Sequence, residues 1–405
     1  MKTYGVIMAG GGGTRFWPLS RQETPKQLLN LSGKDIMVNE AIDRLSKTAG
    51  KDDIFIVTNE TQVKKMLQAT KGRVKRNHIL SEPSARNTAA CVGYAAMEIV
   101  KKYGDGIMVI TPSDAYIKNE AEFTRILGIA VKAAEEKDAL VTVGIKPTFA
   151  ATGYGYIKYA VGNGQSAADN LEAGRSGTSA GTSCRRALRG SADASLPSAT
   201  LRATPGPNAE QAGAEEVLKV LEFKEKPDAE TAQKYVSSGE YAWNSGMFIW
   251  KASTILKNFE RFLPEIYADL QKIGEAMGTD EEFNVIADIY PKIQSISIDY
   301  GIMEKSPDVY VVPGEFGWND VGSFDMLGVL HEPDQNGNVA IGDQISIGTK
   351  NCITYSSGRL VATIGLENVV VIETPDAVLV CDKSKVQDVK KVVEQLKKDR
   401  RVELL

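Results

Sequence analysis

The chain has 405 residues, 42% hydrophobic and 25% charged, which suits a globular protein with more than one core. A net charge of -4 and a pI near 5.6 argue against a nucleic-acid or anionic-membrane surface, so any bound phosphate must be held by local cations. Only two histidines, His78 and His331, and four scattered cysteines, Cys91, Cys184, Cys352 and Cys381, exclude His-based zinc sites and most Ser/His or Cys/His nucleophile schemes.

The first element is the apolar run Tyr4-Gly5-Val6-Ile7-Met8-Ala9, whose length and β-branched content predict a strand buried on both faces. It begins so close to Met1 that no signal peptide is expected before it, and no apolar run approaches the roughly 18 residues of a membrane span, so a cytoplasmic protein is expected. Gly10, Gly11, Gly12 and Gly13 follow, then Thr14-Arg15, Pro18-Leu19 and Pro25-Lys26. Glycines at a strand end let backbone N–H groups crowd a polyanion, and Arg15 and Lys26 add the charge that phosphates need. A flexible turn with two solvated cations explains the same letters. A Walker loop fails, because no Gly-Lys-Ser/Thr closes the run. A dinucleotide fingerprint fails as well, because Arg15 stands where its third glycine belongs.

Helical spacing over 38–48, a strand Ile54 to Val57 and a helix near Val63 to Ala69 predict an open, mostly parallel sheet with ligands at the strands' carboxyl ends. After the short strand His78 to Leu80 comes Ser81-Glu82-Pro83-Ser84-Ala85-Arg86-Asn87-Thr88-Ala89, leading into a helix over Cys91 to Val100, with Asn87 or Thr88 placed to cap it. The strand Gly106 to Ile110 ends in Thr111-Pro112-Ser113-Asp114, where the acid also suits a plain turn. A helix over Glu122 to Glu135 and a strand over Leu140 to Ile145 precede Thr152-Gly153-Tyr154-Gly155-Tyr156-Ile157. Residues 162–214 are rich in Ala, Gly and Ser without periodicity, and are expected to be a disordered insertion in a hairpin. Alternation resumes at Val217 and runs into Glu225-Lys226-Pro227, a half-buried strand with a lysine at its end.

Beyond it stand Trp243-Asn244-Ser245-Gly246, a helical stretch to Ile289, Ser297 to Glu304, and Gly317-Trp318-Asn319-Asp320-Val321-Gly322-Ser323-Phe324. From Asn336 short apolar runs alternate with turn residues: Val339 to Ile341, Ile345 to Ile347, Cys352 to Tyr355, Leu360 to Thr363, Val369 to Ile372 and Val378 to Cys381. Their spacing predicts a β-helix or small sandwich. A final helix places Val386, Val389, Val392, Val393 and Leu396 on one face, to dock on that β unit or on a second subunit.

These strings resemble the motifs of sugar-nucleotide pyrophosphorylases, and Phe16-Trp17-Pro18-Leu19-Ser20-Arg21 is similar to the bacterial mannose-1-phosphate guanylyltransferase branch. The resemblance implies an α/β fold: a Rossmann-like (GT-A-like) mixed-sheet nucleotidyltransferase domain over 1–330 and a small left-handed β-helix with a terminal helix over 336–405. It implies transfer from GTP to mannose 1-phosphate, giving GDP-mannose and pyrophosphate, with Mg²⁺ held by Asp114 and Asp320. Ala9, Gly10, Gly11, Gly12, Gly13, Thr14, Glu82, Pro83, Asn87 and Thr88 would line the nucleotide pocket, with Arg15 and Lys26 neutralising the triphosphate. Gly153, Tyr154, Gly155, Glu225, Asn244 and Gly246 would face the sugar, and Lys226 its phosphate. Ala115 stands where the family usually has His and Ala151 where it normally has Glu, and the family does not normally carry the 162–214 segment. Two other readings stay open: UTP or dTTP with glucose 1-phosphate, and an inactive sugar-nucleotide-binding regulator. Neither nucleic acid nor membrane is expected as a partner, and a homodimer is compatible with the pattern.

Overall fold

A computed structural model describes residues 1–160 and 217–405, so the expected insertion at 162–214 lies outside the described residues. In the first part lie β1 (Thr3–Met8), β2 (Ile54–Asn59), β3 (Ile79–Glu82), β4 (Ile107–Pro112), β5 (Tyr116–Ile117), β6 (Leu140–Ile145) and β7 (Tyr156–Tyr159). After the undescribed stretch come β8 (Leu218–Lys224), β9 (Tyr241–Lys251), β10 (Val309–Gly314) and β11 (Trp318–Asn319). Nine of these strands form one sheet in the order β3-β2-β1-β4-β9-β6-β10-β8-β7. From β3 to β4 the strands are parallel, as the strand–helix alternation predicts. Beyond β4 the expectation of a mostly parallel sheet is corrected: β9 runs antiparallel to both β4 and β6, and β8 antiparallel to both β10 and β7. The sheet is therefore mixed: β9 runs parallel to β8, from which the helix Ala229–Ser238 carries the chain over, and so opposite to β4 and β6, between which it inserts.

That reversal matters for the site. Running backwards, β9 brings its first residues level with the carboxyl end of β6, pairing Asn244 with Gly144 and Trp243 with Ile145. The sequence order also reverses about β1, which has β2 on one side and β4 on the other, so the loops after β1 and β4 flank a crevice.

Helices cover both faces. On one, α1 (Met37–Ala49) contributes Val38, Ile42 and Leu45 to a core shared with Ile7, Ile56 and Val109 of the sheet. The short helix α2 (Glu60–Ala69) is capped by Asn59, whose side chain accepts from the Thr61 amide. On the other face α3 (Asn87–Tyr103) buries an almost unbroken Ala89-to-Ile99 stretch against Val6, Phe55 and Trp250, with the helices Ala252–Phe262 and Pro264–Ala276 packed outside it. The helix α4 (Glu120–Lys137) returns to the first face with Phe123, Ile126 and Leu127. In β8 the alternation is broken: the register with β7 skips Leu221, which is left 61% exposed, a bulge that single-sequence periodicity does not reveal.

The C-terminal strands are β12 (Val339–Ile341), β13 (Gln344–Ile347), β14 (Ile353–Ser356), β15 (Val361–Ile364), β16 (Val369–Glu373) and β17 (Val378–Asp382). Strands β12, β14 and β16 pair in parallel on one face and β13 and β15 on a second, the stacking of a parallel β coil, with β17 closing antiparallel on β16. The last helix, Val389–Lys398, buries Val389, Val393 and Leu396. It docks on this unit and also on the N-terminal loop. One apolar cluster joins it to Phe16 and Trp17, to Val321 and Phe324, and to Ile353, Val370 and Ile372 of the coil. The Trp17 indole donates to the Leu404 carbonyl at 2.8 Å, and Arg21 pairs with Asp376 at 2.7 Å. No helix among the described residues is long and apolar enough to cross a membrane.

Candidate active site

The crevice at the β1/β4 switch opens into a cavity of about 400 Å³. Its lining includes Gly11, Gly13, Arg15 and Lys26 from the first loop, Asp114 after β4, and Asp320 and Gly322. Thr88, Gly153, Tyr154, Gly155, Glu225, Asn244, Gly246 and Asp299 complete its polar wall. Of the sequence-predicted residues, Ala9, Gly10, Gly12, Thr14, Glu82, Pro83, Asn87 and Lys226 do not line it directly.

The glycine loop is shaped by close approach. Gly13 has φ +59°, and a Cβ there would lie 2.5 Å from the Lys26 Cβ, so a side chain is excluded on both counts. A Cβ on Gly10 would lie 2.9 Å from Oε2 of Glu82. The loop is tied down by Gln27, whose amide donates to the carbonyls of Ala9 at 2.7 Å and Gly11 at 3.2 Å, and by Thr58, which donates to Ala9 at 3.0 Å.

Lys26 is 5% exposed and its ammonium meets three acceptors: the Asp114 carboxylate at 2.9 Å, the Asp114 carbonyl at 3.1 Å and the Asp320 carbonyl at 2.8 Å. All three donors of a lysine are thereby used. A residue expected only to face phosphate thus also fastens together the two loops that carry the aspartates. Asp320 is held from the other side by the Tyr154 hydroxyl, which donates to Oδ1 at 2.7 Å. Burial, with Asp320 beside it, raises the Tyr154 pKa far above the usual phenol value, so this hydroxyl stays a donor. Tyr154 itself is wedged edge-on against Trp243 and Trp318, with ring centroids 5.1 and 5.4 Å away. Ala115 is buried and its carbonyl accepts from Arg44 at 2.8 Å, so a buried guanidinium fixes the chain just after Asp114.

A second cluster lining the cavity is acidic. One oxygen of Glu225 pairs with Lys226 at 2.6 Å, while the other is buried with no partner among the described residues and abuts Gly155, where a Cβ would lie 2.4 Å from it. Asn244 donates to Asp299 at 2.8 Å, and its carbonyl oxygen accepts from the Gly246 amide at 3.2 Å. Burial first, and then the Glu225 charge, push the Asp299 pKa up to about 7. Lys226 has φ +47°, is largely exposed and sits at the rim with its ammonium on Glu225. Burial alone would lower its pKa, but Glu225 and then Asp299 raise it. Ala151 is buried in the apolar cluster beneath and does not line the cavity.

At the start of α3 the capping expectation is corrected. Arg86 takes the cap position without a side-chain bond, and Asn87 is the first helical residue, with φ +64°. The side chain of Asn87 accepts from the Thr88 amide at 2.8 Å, and the Thr88 hydroxyl accepts from the Ile298 amide at 2.9 Å. Glu82 is buried, bonded through one oxygen to the Tyr290 hydroxyl, and its pKa is raised by that burial. Sequence reasoning missed Gln27, Arg44 and Asp299. Only Asp299 lay in a noticed string, and nothing there marked it as converging on Asn244.

Of the four carboxylates among the described residues that line the cavity, Asp114 and Asp320 are the pair brought together by Lys26, and with phosphate oxygens they could serve as donors to a hard cation. Among the described residues no cluster of three or more His, Cys, Asp or Glu could hold a metal alone.

The nucleotidyl transferase family model matches residues 4–172 and 202–336, and the model of a MannoseP isomerase/GMP-like beta-helix domain matches 342–396. The chain is 39% identical over 399 residues to xanthan biosynthesis protein XanB of Xanthomonas campestris pv. campestris, covering 98% of this chain and 74% of that one. It is 36% identical to a mannose-1-phosphate guanylyltransferase of Salmonella montevideo, with the same coverage of 98% and 74%. A crystal structure described as mannose-1-phosphate geranyltransferase from Thermus thermophilus superposes with a TM-score of 0.78 at 27% identity, covering 98% of this chain and all of that one.

Proposed function

The chain belongs to the nucleotidyl transferase family, and from that premise we propose that it transfers GMP from GTP to mannose 1-phosphate, releasing pyrophosphate. The observation that carries this reading is that Arg15, Lys26, Asp114 and Asp320, joined through Lys26 and Gly322, line the same cavity as Glu225, Asn244 and Asp299. A cationic and metal-ready cluster suits a triphosphate. The Glu225 oxygen that has no partner among the described residues, with its neighbours, suits the hydroxyls of a sugar, which are donors.

In this reading an oxygen of the sugar phosphate forms a bond to the α-phosphorus while the bond from that phosphorus to the β-bridging oxygen breaks, and the electron pair leaves with pyrophosphate. No general base is needed, because the attacking phosphate is already ionised. A magnesium ion, for which Asp114 and Asp320 are the fitting ligands, supplies charge neutralisation to the phosphates when bound. Arg15 meets the charge that develops on the leaving group. Lys26 keeps the two aspartates in register, and Tyr154 fixes the orientation of Asp320. Lys226, at the rim, draws the sugar phosphate toward the cavity. Residues 1–330 form the catalytic unit in this reading and 336–405 a unit that braces it.

The choice of guanine and mannose rests on the relatives' names. Pyrophosphate release measured for GTP, UTP, dTTP and ATP, each with mannose 1-phosphate and with glucose 1-phosphate, tests it. GTP with mannose 1-phosphate should be preferred by ~10-fold or more, as for sites that read polar groups. Faster turnover of UTP or dTTP with glucose 1-phosphate overturns it, and no turnover of any pair makes the protein a binder instead.

A further inference from the structure

We propose that Gln387, in the C-terminal unit, is a positioning residue that sets Arg15 for the triphosphate and couples that arginine to the loop carrying Asp320. The inference rests on the nucleotidyl-transfer reading above. Arg15 reaches out of the glycine loop and donates through Nη1 to Oε1 of Gln387 at 3.2 Å. The other end of the same amide, Nε2, donates to the Ser323 hydroxyl at 2.7 Å, and that hydroxyl in turn donates to Asp325. Ser323 is 1% exposed and lies three residues after Asp320, so its place is fixed by packing. Between them Gly322 lets Arg15 come close: a Cβ there would lie 3.3 Å from Nη1 and 2.9 Å from Oδ2 of Asp320. One side chain, 372 residues from Arg15 in sequence, thus spans the two loops that hold the expected cation and metal ligand.

The direction of each bond leaves little freedom. An arginine has donors only, so it must face the amide oxygen, and the amide nitrogen must then face Ser323. Gln387 is held at the right place because the residues flanking it are anchored: Val386 and Val389 are buried in the cluster that contains Phe16 and Phe324, whose rings meet edge to face at 5.0 Å. The side chain of Gln387 itself is exposed, so changing it costs no core packing. Arg15 is exposed too, and a long exposed arginine loses conformational entropy on binding phosphate unless something holds it beforehand. Gln387 supplies that restraint without neutralising the charge, which a carboxylate in the same place would do.

The test is steady-state kinetics on the full-length protein with Gln387→Met, which keeps length and removes both bonds, and with Gln387→Glu, which puts a counter-charge on Arg15. Gln387→Met should raise KM for GTP by about 10-fold, the worth of one hydrogen bond to a charged group, and leave KM for mannose 1-phosphate within about two-fold. Gln387→Glu should raise KM for GTP further, because the triphosphate must displace an ion pair. In a double-mutant cycle, Gln387→Met added to Arg15→Ala should cost almost nothing more, since the glutamine acts through the arginine. Unchanged KM for GTP in Gln387→Met, equal effects on both substrates, or full additivity with Arg15→Ala would each overturn the proposal. A wild-type protein that does not turn over GTP at all would instead remove the functional reading on which it rests.

Discussion

Replacing Lys26 by Met removes the ammonium of a residue that is 5% exposed, an ammonium that lies 5.5 Å from the centre of the Phe16 ring, while keeping most of the aliphatic stem. Three bonds are lost, to Asp114 Oδ2 at 2.9 Å, to the Asp114 carbonyl at 3.1 Å and to the Asp320 carbonyl at 2.8 Å. A bond to a charged group is worth ~1.5–3 kcal/mol, and orphaning one partner of a buried pair costs ~3–5 kcal/mol. The Asp114 side chain is 38% exposed, so water takes up part of its loss and the three bonds do not simply sum. A destabilisation of ~2–4 kcal/mol follows, together with a loss of ~10²–10³ in kcat/KM, because both aspartate loops lose their common anchor. Urea unfolding measures the first and pyrophosphate release from the folded enzyme the second. If Lys26→Met folds with wild-type stability, or if its folded form turns over within a factor of about three of wild type, the organising role assigned to Lys26 is wrong. Arginine should not rescue, since its planar fork cannot point three donors at these acceptors.

Tyr154→Phe removes the donor to Asp320 Oδ1 while keeping the ring between Trp243 and Trp318, so kcat should fall ~10-fold with stability changed by about 1 kcal/mol at most. Equal kcat in the variant would show that Asp320 needs no such support. Asp299 gives a pH prediction. With its folded pKa raised to about 7, the native state binds more protons than the unfolded state between the ordinary carboxylate value and about 7. This group therefore makes the protein less stable as pH rises through that window. Asp299→Asn should flatten the corresponding slope of unfolding free energy between about pH 5 and 7.5, and an unaltered slope would refute the assignment. If the sugar is gripped by the ionised acid, KM for mannose 1-phosphate in wild type should also fall as pH rises through about 7, and the variant should lose that limb.

Much of this arrangement is legible in the chain itself, for a physical reason: strand ends and tight loops leave local marks. The glycine run after β1 marks a loop where backbone can crowd, and Asp114 stands beside a turn at the end of an apolar run, where an open sheet collects its ligands, whereas Asp320 is marked only by the resemblance of its Gly-Trp-Asn-Asp-Val-Gly-Ser string. The six short C-terminal strands fall within a residue or so of the apolar runs that predict them. What does not show is anything made by convergence. Gln27 reads as a polar residue near a turn until it is seen gripping the Ala9 and Gly11 carbonyls. Arg44 lies within the stretch of helical spacing over 38–48, where nothing marks it, yet it is buried on the Ala115 carbonyl. The reversal of β9, which puts Asn244 beside Asp299, depends on strand pairing that no periodicity encodes. The terminal helix shows its apolar stripe plainly. Its contact with Phe16 and Trp17 becomes visible only when the two ends of the chain meet.

The most direct trial is GDP-mannose formation from GTP and mannose 1-phosphate, followed with and without Mg²⁺ in the wild-type protein and in Asp320→Asn. Wild type should turn over only with the metal. The variant should be slower by ~10² or more at a given Mg²⁺ concentration and should need more metal to reach its half-maximal rate. Metal-independent product formation, or an Asp320→Asn protein as fast as wild type at limiting Mg²⁺, would contradict the assignment of this cavity as the site of nucleotidyl transfer.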